Sequence, residues 1–352
     1  MTQAMIQATT RAVWREFRLH VGMPHLAPGR LSEEAITKQL GAFQWQAVAE
    51  LAGQPENAVL SEAGERLHIS MISIELGLPT GRGWEDFDEG CDLTFHQRTC
   101  VFGHKLVEGL FLFDKEPIPE DELQAVQTRD DLARGRRPWA YLTHGFITRD
   151  AGTWAKLDTP RAFLEKPLPE LPAMPAGIAE HLQVERSGAI AGFPNWDSAT
   201  ELTCEAGSAD LFFEVQPETD LNALGVVYCA RFPAIMAVGE RRLLRARLLA
   251  PLSEPLVACL RTEHRRLYYF ANASREEKLL MRVQARFCPP TATAPARVRT
   301  MGHFLFRTDL HRASDSVLMS SSLVEKALRV PGPMKPLLTE SERLLARIRG
   351  RG

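Results

Sequence analysis

The chain has 352 residues and is nearly neutral, with 42 lysines and arginines against 44 aspartates and glutamates. It therefore lacks the basic excess with which proteins neutralise nucleic-acid phosphates. Hydrophobic residues at 45% and charged residues at 24% describe an ordinary globular chain long enough for two domains. No apolar run approaches membrane-spanning length, and the opening residues lack the basic-then-apolar order of a secretory signal. These features predict a cytoplasmic protein that binds neither membrane nor nucleic acid.

In chain order, a strand is predicted over Phe17 to Val21, followed by a loop from Met23 to Arg30. Ser32 is a good helix N-cap, and Glu33 and Glu34 suit the positive end of the helix it opens. Apolar residues at Ile36, Leu40, Phe43, Ala47, Val48 and Leu51 give that helix the wide stripe needed under a wrapping sheet. Strand-like segments follow over Leu67 to Leu76, Asp92 to Phe102, Lys105 to Phe113 and Trp139 to Thr148. The charged interruption from Asp114 to Arg137 reads as a surface helix or lid. Residues 12–150 thus form a first domain.

Prolines at 160, 167, 169, 172, 175 and 194 make residues 151–197 a predicted linker without regular elements. A second domain is expected over 198–330. It has a strand near Asp210 to Val215, a polar turn from Pro217, and a helix over Val226 to Leu244. Strands follow near Arg266 to Phe270, Leu279 to Phe287 and Arg299 to Thr308. Residues 331–352 are a tail with a basic amphipathic helix from Thr339. The same strand, helix, strands plan thus occurs twice, offset by about 195 residues.

The second turn carries the strongest chemical signal. If the helix begins at Val226, the N–H groups of Gly225 and its neighbours lie at its N-terminus, where donors and dipole polarise a carbonyl or accept an oxyanion. Asn222 either orients such a group or only caps the helix. Tyr228 donates to an oxygen there or packs. His25, in the loop before the first helix, and His68, in an alternating strand, are candidate proton-transfer groups, each with a plain structural alternative. Ser32 is expected to cap and Glu33 to meet the helix dipole, and either could touch substrate. Glu240 is expected to pair with Arg241 or a neighbour. The six cysteines lack metal-ligand spacing and read as reduced thiols; Cys229, in the first turn of the predicted helix, is the one whose thiolate would be stabilised. His96 and His104 have no partner spacing either, so no metal is predicted. No glycine-rich phosphate loop or dinucleotide fingerprint occurs, so no cofactor is predicted.

Asp220, Asn222, Ala223, Gly225, Val226, Val227, Tyr228, Phe232, Glu240 and Arg241 resemble the motif of 4-hydroxybenzoyl-CoA-type thioesterases in the hot-dog fold superfamily. Asn222 stands where those enzymes have a nucleophilic or basic aspartate. Gly22-Met23-Pro24-His25-Leu26, Gly29-Arg30-Leu31-Ser32-Glu33 and Gln44-Trp45 are similar to signatures of polyketide-cluster proteins related to the leinamycin-pathway acyltransferase/decarboxylase. The stretch Leu221 to Pro233 and the strand end Tyr269-Phe270-Ala271-Asn272 agree with that group. His68 falls where it has a catalytic tyrosine. The resemblance implies an α+β double hot-dog, each unit a long helix wrapped by an antiparallel sheet. It implies transfer of an acyl group from CoA to the acyl carrier protein of a polyketide synthase, with possible decarboxylation. CoA or phosphopantetheine enters only as part of the substrate. A hot-dog dehydratase, a thioesterase and a non-catalytic carrier-protein scaffold are the alternatives. His68, Asn222 and His25 are then the catalytic candidates, and Gly225, Val226, Tyr228, Ser32 and Glu33 the substrate contacts.

Overall fold

The computed structural model describes residues 13–27, 30–79, 81–150, 153–188, 199–201, 209–246, 252–275, 277–289 and 298–349. Their contacts divide them into two compact units. The first takes the described residues within 1–26, 36–74 and 88–182, and the second those within 27–35, 75–87 and 183–352.

The elements in chain order begin with strand β1 (Trp14–His20), the two-residue strands β2 (Leu26–Ala27) and β3 (Arg30–Leu31), and helix α1 (Glu33–Ala52). Strands β4 (His68–Gly77), β5 (Asp92–Phe102) and β6 (Leu106–Asp114) come next. Helices α2 (Glu120–Ala125) and α3 (Arg129–Arg134) lead to β7 (Trp139–Asp150) and β8 (Thr153–Asp158). In the first unit the sheet runs β1-β5-β6-β7-β4, with β8 on β7. Its inner face holds α1 through the predicted stripe: Ile36, Leu40, Phe43, Ala47 and Val48 are buried. Phe43 stacks on Phe17 at 4.5 Å and tilts against Phe95 at 5.3 Å. Close approach of helix and sheet is possible because Gly109 has no side chain; a Cβ there would lie 2.8 Å from Gln44 Cδ and overlap its oxygen.

The outer face of the same sheet is covered by the interruption between β6 and β7. Leu123, Val126 and Leu132 bury Leu110, Leu112, Trp139 and Tyr141. Arg98 donates to the Val126 carbonyl at 3.0 Å and to Gln127 Oε1 at 2.7 Å, fixing the segment as a cover.

The stretch expected to be a featureless linker contains β8, a turn of helix α4 (Arg161–Leu164) and helix α5 (Ala176–Ser187). Its prolines explain this placement. Pro160 stands just before α4 and Pro175 just before α5, at helix entrances where a missing N–H costs nothing. The linker residues 189–197 lie outside the described residues.

The second unit continues with β9 (Thr200–Glu201), β10 (Ala209–Glu214), the helical turn α6 (Pro217–Asp220), helix α7 (Phe232–Ala246) and α8 (Glu254–Val257). Strands β11 (Leu260–Tyr269), β12 (Lys278–Cys288), β13 (Val298–Arg312) and β14 (Leu318–Pro331) precede helix α9 (Lys335–Arg349). The sheet order β11-β14-β13-β12-β10 reproduces that of the first unit strand for strand. Sequence reading missed β14 because Ser320, Ser321 and Ser322 break its apolar pattern. All three are fully buried, and Ser320 donates to the Tyr268 carbonyl at 2.7 Å. Helix α9 starts four residues earlier than expected and is packed in the unit. Leu344 and Leu345 are buried, and Glu340 accepts from Ser253 N–H and Oγ at 2.8 and 2.7 Å. Among the described residues no helix is long and apolar enough to cross a membrane.

Gly109→Ala is expected to destabilise the fold by about 1–3 kcal/mol, the usual cost of overpacking a core. Chemical denaturation measures this; an unchanged midpoint would mean that Gln44 yields freely.

Candidate functional site

Helix α7 begins six residues later than its apolar spacing suggests. Pro233 is the reason, because proline fits only the first helical turn. Cys229–Arg231 form a 3-10 turn, and Val226 and Val227 make isolated strand bridges to Ser274 and Leu221. Gly225 therefore sits in a tight turn with φ of 75°, its N–H donating to the Asn222 carbonyl at 2.9 Å. That donor is not at a helix N-terminus. Asn222 Oδ1 accepts from Leu224 N–H at 2.9 Å and Val226 N–H at 3.4 Å, so its oxygen stiffens the turn instead of capping a helix. Burial pushes the Tyr228 phenol up to about 12 and the Cys229 thiol to about 11, so neither ionises near neutrality. Cys204 lies outside the described residues.

The expected histidines belong to the first unit. His25 Nδ1 accepts the Gly22 N–H at 3.0 Å and closes its own 3-10 turn. His68 opens β4 and is half-buried.

In the second unit the start of α1 is held by a buried ionic network. Ser32 Oγ accepts from Ala35 N–H at 3.4 Å, the predicted cap. Arg265 of β11, 1% exposed, donates to Glu33 at 2.7 Å, Glu240 of α7 at 3.4 Å and Ser322 Oγ at 3.2 Å. Lys326 meets the other Glu240 oxygen at 2.5 Å, and Thr262 donates to Glu33 at 2.5 Å. Glu240 thus pairs across the sheet and not with Arg241. Burial alone would raise the Glu33 carboxyl, but Arg265, Lys326 and the Thr262 hydrogen bond outweigh it and hold it at about 2.

Glu34, one residue on, lies outside that network. Arg231 Nη1 meets it at 2.5 Å, and Arg231 also holds the fully buried Asp220 at 2.7 Å. Glu34 faces a cavity of about 750 Å³ in this unit, together with Ser32, Glu33 and Arg30. The facing wall is one side of α7: Ala234, Ala237, Val238, Arg241, Arg242 and Arg245. Their spacing of three and four residues is that of a single helix face. About 16 Å of helix, at 1.5 Å per residue, separates the small apolar end from the last arginine. The volume is within the range of roughly 300–1,000 Å³ usual for small-molecule sites.

Of the expected contacts, Ser32 and Glu33 line this cavity, whereas Asn222, Gly225, Val226 and Tyr228 of the same unit do not. Glu34 and Arg245 were missed as site residues; Arg241 and Arg242, which the sequence offers as a short basic cluster able to steer coenzyme A phosphates or as plain surface charge, line the cavity wall. The face periodicity from Ala234 to Arg245 was the available signal, obscured by starting the helix at Val226.

No family model matches the sequence, and no curated protein matches it. Solved structures do. A protein of Lactobacillus plantarum described as an oleoyl thioesterase aligns over 91% of this chain and 98% of its own, with TM-score 0.55 and 8% identity. An acyl-ACP thioesterase from Bacteroides thetaiotaomicron aligns over 90% and 98% at TM-score 0.47 and 10% identity. The 12:0-ACP thioesterase from Umbellularia californica aligns over 90% and 97% at 0.46 and 8%. The first of these likenesses carries the fold, which is an α+β double hot-dog, as the doubled strand order indicates.

A carboxyl held low by its partners stabilises the fold above its unfolded value and loses that contribution as pH falls through its folded value. Acidification from the ordinary carboxylate range toward about 2 is therefore expected to remove the Glu33 contribution. Glu33→Gln should be less stable at neutral pH and show a flatter decline in melting temperature over that acid window. Parallel curves for the two proteins would refute the assignment.

Proposed function

We propose that the protein hydrolyses acyl thioesters borne on a phosphate-containing carrier, coenzyme A or the phosphopantetheine arm of an acyl carrier protein. The supporting observation is the cavity itself. It combines a helix start, an adjacent carboxylate, a wall of small apolar residues and, further along the same wall, three arginines.

The thioester carbonyl oxygen is placed against the N–H groups of the first turn of α1, which have no intrahelical partners and sit at the positive end of the dipole. Glu34 takes a proton from water as the water oxygen attacks the carbonyl carbon. The tetrahedral intermediate then expels the thiolate, breaking the C–S bond, and the proton returns through Glu34 to give thiol and free acid. Glu33 is unsuited to this role because its carboxylate is committed to Arg265 and Thr262. Ala234, Ala237 and Val238 accommodate the apolar part of the substrate. Arg241, Arg242, Arg245 and Arg30 meet the carrier phosphates.

The fold shared with the Lactobacillus oleoyl thioesterase agrees with hydrolysis. Acyl transfer or decarboxylation on a polyketide carrier protein rests on motif resemblance alone. Intact-mass spectrometry of acylated carrier protein, with and without the enzyme, separates the readings. Hydrolysis yields unloaded carrier and free acid, whereas transfer from acyl-CoA yields newly loaded carrier and would overturn the proposal. Glu34→Gln, which can keep its hydrogen bond to Arg231, is expected to lower kcat by roughly 10²–10⁴-fold with the fold intact. Wild-type turnover in that variant would remove Glu34 from the mechanism. Arg241→Ala and Arg245→Ala are expected to raise KM for acyl-CoA more than for acyl-N-acetylcysteamine, which has no phosphate. Equal effects on both substrates would refute the phosphate contact.

A further inference from the structure

Elsewhere in the second unit, three strands bring a histidine and two carboxylates together. His303 is on β13, Glu325 on β14 and Glu263 on β11, and one ligand atom of each lies within 4.8 Å of the others. Regular pairing accounts for only two of them. Glu325 is opposite Leu305, two residues from His303, so His303 and Glu325 share a face.

Glu263 joins that face through a break in the ladder. The β11-β14 register shifts between Thr262 and His264, and a bulge of this kind turns consecutive side chains toward one side. A second shift, between Thr300 and His303, aims the histidine. It depends on Gly302, whose φ of 141° is disfavoured for other residues and where a Cβ would strike the Phe287 ring. Two separate irregularities thus converge on one cluster.

The two separations from the histidine match those of ligands around a point. His303 Nδ1 lies 3.0 Å from Glu325 Oε1 and 3.4 Å from Glu263 Oε2. Ligands about 2.1 Å from a zinc ion are separated by about 3.0 Å at right angles and about 3.4 Å at the tetrahedral angle. Nδ1 is shielded from solvent, and its polar neighbours are these two carboxylates, the Glu325 oxygen lying within hydrogen-bond distance. The other oxygen of Glu263 is held by Arg329 Nη2 at 2.5 Å, and the same nitrogen donates to the Arg82 carbonyl at 2.8 Å. Such outer contacts orient a ligating carboxylate.

We propose that Glu263, His303 and Glu325 form a binding site for one divalent transition-metal ion, zinc being the probe of choice, that fastens β11, β14 and β13 together. One imidazole and two carboxylates leave a fourth position for water. The site is independent of the thioester reading, since none of its residues lines the cavity. Sequence spacing could not reveal it, because its members come from three strands and meet only through two bulges.

Full-length protein stripped with EDTA and desalted is titrated with zinc by calorimetry and with cobalt(II) by visible absorption. The expected result is one bound equivalent, a cobalt spectrum without thiolate charge transfer, and a zinc-dependent rise in melting temperature. His303→Ala and Glu325→Gln should each weaken binding by at least roughly tenfold and abolish the thermal shift. Glu325→Gln preserves side-chain volume and serves even if His303→Ala folds poorly. Absence of a bound equivalent, undiminished binding in the variants, or a thiolate band in the cobalt spectrum would overturn the proposal.

Discussion

Arg265 is the interaction on which the second unit is organised. A guanidinium with 1% exposure is costly to bury unless its donors meet acceptors of opposite charge. Two carboxylates meet it, one from the first turn of α1 and one from the middle of α7, while Lys326 balances the second. The consequence is specific. Removing any member would strand a buried charge, so the start of α1, the inner face of α7 and strands β11 and β14 are held in one mutual arrangement. The cavity wall inherits that arrangement.

The same network separates two adjacent carboxylates that composition cannot distinguish. Glu33 is drawn under the helix to Arg265 and Thr262 and remains ionised down to about pH 2. Glu34 turns a hundred degrees further around the helix, to Arg231 and the cavity. Neighbouring acids in unlike environments are a familiar way to divide structural from chemical work. Helix α7 divides similarly along its length. Ile235, Met236, Leu243 and Leu244 are buried on one side, whereas small residues and then arginines follow one another on the other.

How much of this could be read from the sequence depended on the range of the interaction involved. The α1 stripe, its Ser32 cap and the doubled plan were legible because each is set by spacing within one segment or by repetition of segments. Helix α7 was misplaced by six residues because apolar periodicity runs through Val226 to Phe232 while Pro233 forbids a helix through it. Strand β14 was missed because three serines look polar until Tyr268, Asp309 and Arg265 become their partners across the sheet. The Asn222 oxygen serves the turn through Leu224 and Val226, a local contact that a helix-cap reading displaced. Of the arginine face of α7 only the Arg241-Arg242 cluster was legible, its continuation to Arg245 being hidden by the same error in the helix start, and Glu34 was hidden by its resemblance to an ordinary dipole-satisfying acid.

The two units, compared each on its own terms, differ in how their central helices are anchored to their sheets. In the first, Gln44 of α1 accepts from Gln97 at 2.6 Å, and Gln97 also reaches Thr99 at 2.9 Å. Nearby on β7, burial lowers His144 to about 3, so it is neutral as well. In the second, Glu240 of α7 is anchored by Arg265 and Lys326, an ionic arrangement throughout. Neutral amides specify packing at little electrostatic cost, whereas buried charges are costly and are often no more stabilising than apolar replacements. One strand order therefore supports both kinds of core. A fold that works with the inexpensive version has no structural need for the charged one. The ionic version occurs in the unit that holds the cavity, where it fixes the start of α1 and the inner face of α7 against the sheet.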